Sequence, residues 1–276
     1  MRTLKGLVIG VTLLCVFRAM PAHATIDWEE GFEYADDTAF GNVWTHSCLG
    51  NPGISTIRPH SEAKSARLVY RGTVGVDPGA GGCYMERFLP VPNETEYTRF
   101  WIYFDRFTLN NVGTKITLQG DPNFYPSFWW IMNSVNNPVV DQPGVLDVHV
   151  QGVILDNGLQ DTLLLRGSVV LPQNQWVCVE TRTTMSSPGV NNGIIQQWVN
   201  GVLSMNFSNV RMRAATLNQQ NSPTAKNSIN RLYTQHGRGT IYFDNYAVSR
   251  DARIGCTGFP PGDRQAPRAP SNFSFR

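Results

Sequence analysis

Arg99, Lys115, His149, Tyr103 and Tyr242 are the residues of this chain whose types are best suited to chemistry. A guanidinium and an ammonium can hold a carboxylate, the guanidinium bidentately through its planar fork. An imidazole with an ordinary pKa of about 6.5 can take a proton near neutral pH. A phenol can supply one, or accept one where neighbouring cations lower its pKa. Four of these five residues, Arg99, Tyr103, Lys115 and His149, lie in three stretches that alternate. In residues 97–104, Phe100, Ile102 and Phe104 are core material, which leaves Tyr97, Arg99, Trp101 and Tyr103 on the other side. In residues 115–119 the apolar pair Ile116 and Leu118 opposes Lys115, Thr117 and Gln119, and in residues 146–151 Leu146, Val148 and Val150 oppose Asp147, His149 and Gln151. Successive strand side chains point to opposite sides, so each stretch predicts a buried face and a polar face. An ordinary solvated face holds Thr, Ser, Lys and Glu. Aromatic rings, cations and a histidine point instead to a surface that grips a polysaccharide, with Trp101 as a flat platform for a sugar ring. The expectation is that the odd-numbered residues of all three stretches share one trough.

The elements that must position these groups are strands. Apolar spacing is near two almost everywhere, and Gly, Pro and Asn interrupt it every ten to twenty residues. Candidate strands are 65–71, 82–90, 97–107, 114–120, 127–133, 145–155, 161–166, 175–184, 194–200, 202–206 and 239–249. Asn200-Gly201 marks a tight hairpin, because both central residues of its turn need positive φ. Residues 211–229, rich in Asn, Gln and Ser, read as a long excursion over the surface. Many short strands separated by turns predict a sandwich or barrel.

Residues 1–24 read as a secretory signal peptide: Arg2 and Lys5, an apolar run from Leu7 to Phe17, and the small-x-small site Ala22-His23-Ala24. The run is too short to span a bilayer. The expected protein is therefore secreted, extracellular or periplasmic, with a domain over 25–256 and a Pro-rich disordered tail over 257–276. Removing Arg2, Lys5 and Arg18 leaves 20 of the 23 basic residues against 21 acidic ones, so the formal charge of +2 becomes about −1. No Lys/Arg run suggests nucleic acid, and a monomer is expected. Cys48, Cys83, Cys178 and Cys256 remain after cleavage, an even number in an exported chain. Three pairings are possible, and Cys48–Cys83 with Cys178–Cys256 is favoured. None forms a CxxC pair, so no zinc site is expected.

The second half of the chain carries a recognisable run of strand endings and turns. It comprises Trp176-Val177-Cys178-Val179-Glu180, Ser187 to Gly193, Gln197-Trp198-Val199-Asn200-Gly201, and Ile241-Tyr242-Phe243-Asp244-Asn245-Tyr246 with Ile254-Gly255-Cys256. Over roughly residues 65–256 it resembles the concanavalin A-like jelly-roll superfamily, and within it the secreted polysaccharide-lyase-like proteins, including alginate and glucuronan lyases. The resemblance implies an all-β fold of two antiparallel sheets with a concave glycan groove. It departs from one alginate-lyase group: Asp147-Val148-His149 only loosely echoes a Gln-Ile-His strand, and Tyr242-Phe243-Asp244 lacks the lysine of a Tyr-Phe-Lys strand.

A lyase of this kind removes the C5 proton of a uronate and expels O4. On that scheme Arg99 and Lys115 hold the carboxylate, His149 is the base, and Tyr103 or Tyr242 handles the second proton. Tyr97, Trp101, Trp130, Gln119, Gln151, Glu180 and Arg182 are the expected substrate-binding residues. Trp129 and Trp130 must point to opposite faces, one core and one groove. Each residue also has a plainer role. Arg99 and Lys115 could pair with Glu180 or Asp147 across a sheet, Glu180 and Arg182 could form a buried ion pair, His149 could be a spectator, and the aromatic stripe could reflect strand preference. His236 ranks below His149, and His46 and His60 have no evident partner. A retaining glycosidase needs two carboxylates about 5 Å apart, and no such acidic run exists. No metal ligand set or cofactor is expected, although structural calcium is compatible with the resemblance. The expected function is cleavage of an acidic polysaccharide by β-elimination, with a non-catalytic lectin-like or adhesion module as the alternative.

Overall fold

The computed structural model describes residues 24–47, 52–71, 83–109, 113–134, 144–154, 160–218, 221–235 and 237–256. In chain order the elements are β1 (Ile26–Glu30), α1 (Asp37–Gly41), β2 (Thr45–Ser47), β3 (Gly53–Ser55), β4 (Ser65–Arg71), β5 (Cys83–Asn93), β6 (Thr95–Leu109), β7 (Thr114–Gly120) and β8 (Ser127–Ser134). They continue with β9 (Gly144–Ile154), β10 (Gln160–Leu165), β11 (Val170–Leu171), β12 (Trp176–Thr184), β13 (Gly193–Val199), β14 (Val202–Val210), β15 (Asn227–Gln235) and β16 (Gly237–Ser249). The first sheet runs β14-β13-β12-β6-β16-β4-β3, with β1 added to β16. The second runs β10-β9-β8-β7-β15-β5-β2, with β11 added to β9. All pairings are antiparallel. β12, β6 and β16 form the middle of the first sheet.

The two sheets pack face to face over one apolar interior. The first contributes Phe100, Ile102, Phe104, Val177, Val179, Ile241 and Phe243. The second contributes Met85, Phe128, Trp130, Met132, Leu146, Val148, Val150 and Leu232. The even-numbered core residues expected in 97–104 and 146–151 are all buried there. The Asn200-Gly201 hairpin also forms, with both residues at positive φ (48° and 80°). Residues 227–235, by contrast, make a nine-residue strand at the centre of the second sheet, where the surface excursion was expected to last until 229. Asn227, Asn230 and Arg231 lower the apparent strand preference, but tertiary pairing on both sides overrides it.

Polar groups cross the interior in matched pairs. Gln119 Nε2 on β7 donates to Thr181 Oγ1 on β12 (3.2 Å), and Trp130 Nε1 donates to Gln119 Oε1 (3.0 Å). Asn227 Nδ2 donates to Thr183 Oγ1 (3.0 Å), and Gln197 Nε2 donates to the Leu146 carbonyl (2.9 Å). Asn230 Nδ2 donates to Glu96 Oε1 (3.1 Å), and Asn230 Oδ1 accepts from the Tyr246 hydroxyl (2.7 Å). Each of these residues makes at least one hydrogen bond in the interior, while Glu96 Oε2, Gln197 Oε1 and Asn227 Oδ1 have no partner there. Burial raises the Glu96 carboxyl pKa to about 7, against the hydrogen bonds from Thr98 and Asn230 that lower it.

A carboxyl whose pKa is raised on folding binds more protons folded than unfolded, so stability falls as pH rises across the interval between the two values. For Glu96 that interval runs from 4.5 to about 7. Asp244, also raised to about 7 by burial, adds in the same direction. Glu96→Gln should flatten part of the fall in unfolding free energy over that interval, read by urea denaturation at each pH. An unchanged slope would mean that Glu96 stays ionised in its buried site.

Candidate functional site

The shared interior separates the sequence-selected residues. Tyr97, Arg99, Trp101 and Tyr103 alternate with core residues of β6 and so point outward from the first sheet. Glu180 and Arg182 lie directly opposite Arg99 and Tyr97, and Tyr242 lies opposite Tyr103, so they share that face. Lys115, His149 and Gln151 belong to β7 and β9 and point outward from the second sheet. The expected single trough does not form: Arg99, Trp101 and Tyr103 are on the opposite outer wall from His149 and Lys115.

Several of these side chains are committed to structural contacts. Arg99 is buried, pairs with Glu29 (3.2 Å) and donates to the Asn245 carbonyl (3.3 Å). Glu180 is fully buried and accepts from Arg253 (2.8 Å) and from the amides of Ile254 (2.6 Å) and Gly255 (3.2 Å). It thereby fixes the segment leading to Cys256, whose disulfide with Cys178 is present as expected. Cys48, of the other expected pair, lies outside the described residues, as does His236. Arg182 lies over the Tyr97 ring (5.4 Å) and donates to Gln196 Oε1 (3.1 Å). His60, for which the sequence suggests no partner, stacks on Trp101 with ring centroids 3.9 Å apart. Burial, with the Arg99 charge, lowers its pKa to about 4.

Two further expectations fail for a local reason. A bulge between Lys115 and Thr117 shifts the β7–β8 register, and an extra residue in one strand reverses the facing of the residues beyond it. Lys115 therefore points outward, but past the bulge it is Leu118 that faces outward and Gln119 that enters the interior. Of the two adjacent tryptophans Trp130 is the core residue, fully buried, and Trp129 is the outward one.

The outward face of the second sheet is the stronger candidate site. One row of directly paired residues crosses five neighbouring strands: His149 on β9, Trp129 on β8, Leu118 on β7, Arg231 on β15 and Glu86 on β5. Lys115, Tyr233, Tyr84, Asp147 and Gln151 flank it. The Trp129 ring is the centre. Lys115 Nζ lies 4.1 Å from its centroid and Tyr233 4.9 Å, ring to ring, while its Nε1 donates to Gln151 Oε1 (2.8 Å) and Ser127 Oγ (3.1 Å). Arg231 donates to Glu86 Oε2 (2.7 Å), covers the Tyr84 ring (4.9 Å) and hydrogen-bonds the Tyr233 hydroxyl. Asp147 Oδ1 accepts from the Gly167 amide (3.0 Å).

The electrostatics separate the two proton-handling groups. Burial lowers the His149 pKa, Asp147 opposing and Lys115 reinforcing the shift, so the imidazole is neutral at neutral pH. Burial raises the Tyr233 pKa, with Arg231 opposing, so the phenol keeps its proton. A neutral imidazole and a protonated phenol beside two cations form an arrangement able to remove one proton and deliver another. Among the described residues, no cluster of three or more His, Cys, Asp or Glu side chains could hold a metal ion.

Sequence reasoning missed Arg231, Tyr233, Tyr84 and Glu86, and of the two adjacent tryptophans, expected on opposite faces, it chose Trp130 rather than Trp129 for the groove. The signal for two of them was present: Arg231 and Tyr233 alternate with Asn230 and Leu232, but the polar run before them hides the strand.

No family model matches the chain, and no curated protein matches its sequence. Its fold, however, is found among solved structures. An endo-β-1,4-glucuronan lyase from the fungus Trichoderma reesei aligns with a TM-score of 0.56 at 12% identity, over 82% of this chain and 95% of that one. The marine PL-14 alginate lyase from Aplysia kurodai gives 0.54 at 15% identity, over 82% and 100%. The cellulose-induced protein Cip1 gives 0.52 at 17% identity, over 83% and 100%. The two-sheet antiparallel jelly-roll sandwich of this chain is thus similar to that of polysaccharide lyases.

Proposed function

We propose that this chain is a secreted polysaccharide lyase that binds a uronate-containing polysaccharide on the outward face of its second sheet and cleaves it by β-elimination. The observation that carries the reading is the clustering of Lys115, Trp129, His149, Arg231 and Tyr233 on four adjacent strands of that face. The lyases of similar fold, which act on glucuronan and alginate, support the substrate class.

The chemistry needs three groups. Lys115 and Arg231 neutralise the C6 carboxylate, which makes the C5 proton removable. His149 takes that proton, the C5–H electrons form the C4=C5 double bond, and the C4–O4 bond breaks. Tyr233 protonates the departing O4. Trp129 lies beneath the ring being processed. At about 4.8 Å per strand, β9 and β15 are about 14 Å apart, so His149 and Tyr233 approach a bound sugar from two sides. A binding-only role is favoured by one contact: the Arg231–Glu86 pair at 2.7 Å offsets part of the charge the uronate would meet.

Incubation with glucuronan, alginate and other polyuronates should produce the ultraviolet absorbance of an unsaturated uronide. Absence of that signal across the panel, with binding retained, would leave the lectin-like role. His149→Ala and Tyr233→Phe should each lower kcat by about 10²-fold or more while leaving binding nearly intact. A variant with wild-type turnover would remove that residue from the mechanism.

The pH dependence has a fixed sign. The base must be neutral, and burial lowers its pKa. The acid limb of kcat/KM should therefore lie below the ordinary histidine value of about 6.5, with no loss on the alkaline side until the raised Tyr233 titrates. A limb above that ordinary value would assign the base to another group.

A further inference from the structure

We propose that Asp251 is the receptor for a new N-terminus, the α-ammonium that appears on Thr25 when the chain is cleaved between Ala24 and Thr25. Water hydrolyses that peptide bond at the signal peptidase of the exporting cell. The products are a carboxylate on Ala24 and an amine on Thr25, which is protonated at neutral pH. The proposal stands apart from the lyase reading and needs none of its residues.

Two independent observations meet at this bond. The sequence places a small-x-small cleavage site, Ala22-His23-Ala24, after a cationic start and an apolar run. The fold places a carboxylate on the nitrogen that this cleavage would free: Thr25 N lies 3.0 Å from Asp251 Oδ1 and 3.3 Å from Oδ2. A peptide amide has one proton to share between two oxygens, whereas an ammonium has three. Asp251 is already prepared for a cation. Ser249 Oγ donates to its Oδ1 (2.8 Å). Hydrogen bonds from Thr25 and Ser249 hold its pKa down to about 2, so it is ionised at neutral pH. Arg250, the cation next to it in sequence, is paired with Asp27 (3.0 Å).

The anchor secures a strand that both sheets use. Ladder pairing of β1 with β16 starts at the residue after Thr25, Ile26 opposite Ser249. From there β1 sends carboxylates to both layers: Glu29 pairs with Arg99 on β6 (3.2 Å) and Glu30 with Arg87 on β5 (3.3 Å). Glu30 also accepts from the Phe32 amide (2.7 Å), and Arg87 lies over the Trp28 ring, 4.2 Å from its centroid. Among the described residues β1 pairs with β16 alone. A terminal strand paired on one side frays unless its end is tied down. The Thr25–Asp251 contact is that tie, and cleavage turns it from an amide hydrogen bond into a charge-assisted one.

The test starts from the full chain expressed in a secreting host. Intact mass and N-terminal sequencing of the exported protein should show Thr25 as its first residue. A start at another residue, or an uncleaved chain, would overturn the proposal. The pKa of the Thr25 amine is then read from the pH dependence of its acylation, followed by peptide mass spectrometry. It should lie about half a unit or more above the ordinary α-amino range of about 7.7–8.0, and Asp251→Asn should return it to that range. An amine whose pKa is raised on folding adds stability below its unfolded pKa and loses it as pH rises through the folded one. Asp251→Asn should therefore lower the melting temperature more at about pH 6 than at about pH 10. That pH-dependent difference should vanish in a chain that begins at Met20, whose amine is several residues from Asp251. An ordinary pKa for the Thr25 amine, one that Asp251→Asn leaves unchanged, or the same pH-dependent difference in the longer chain would each overturn the assignment of Asp251.

Discussion

A strand side chain in a two-layer sandwich has two destinations, the interior between the sheets or one outer wall. The surfaces of this protein are set by how that choice falls. Phe100, Ile102 and Phe104 on one sheet meet Phe128, Trp130 and Val148 from the other. Once these fill the interior, every residue between them in sequence is placed on an outer wall. The outward residues therefore fall on two separate walls, Trp129, His149 and Arg231 on one and Tyr103, Trp176 and Tyr242 on the other.

The interior also holds the second wall in register. Asn230 is bonded to Glu96 and Tyr246 within the core, and the next residue, Arg231, faces out beside Tyr233. Gln119 is tied to Trp130 and Thr181, while Leu118 and Trp129, their immediate neighbours, form the outward row. Buried hydrogen bonds between groups this closely enclosed tolerate little displacement. The same contacts that stabilise the sandwich thus orient the candidate site from behind.

Much of the fold was legible because its signal is local. The Asn200-Gly201 turn, the strands around 97–107 and 145–155, and the facing of His149 within β9 are all set by residues a few positions apart. The Cys178–Cys256 pairing was one of three alternatives. The candidate site was less legible. The bulge after Lys115 reversed Gln119 and Leu118, and nothing in Lys115-Ile116-Thr117 marks the extra residue. Residues 230–235 were hidden by the polar segment before them. Glu180, a groove residue by type, serves instead to fix the segment that ends at Cys256.

From its sequence alone, the chain determined its class, its alternation and the two sides of each strand, because all three depend on near neighbours and on the two-residue period. Which sheet each strand joins, and so which outward faces coincide, was decided only by the tertiary structure. Arg99 and His149 have the same parity and the same polar character, yet they lie on opposite walls. Alternation records whether a side chain faces the core, but the core has two sides, and only long-range pairing assigns a strand to one of them.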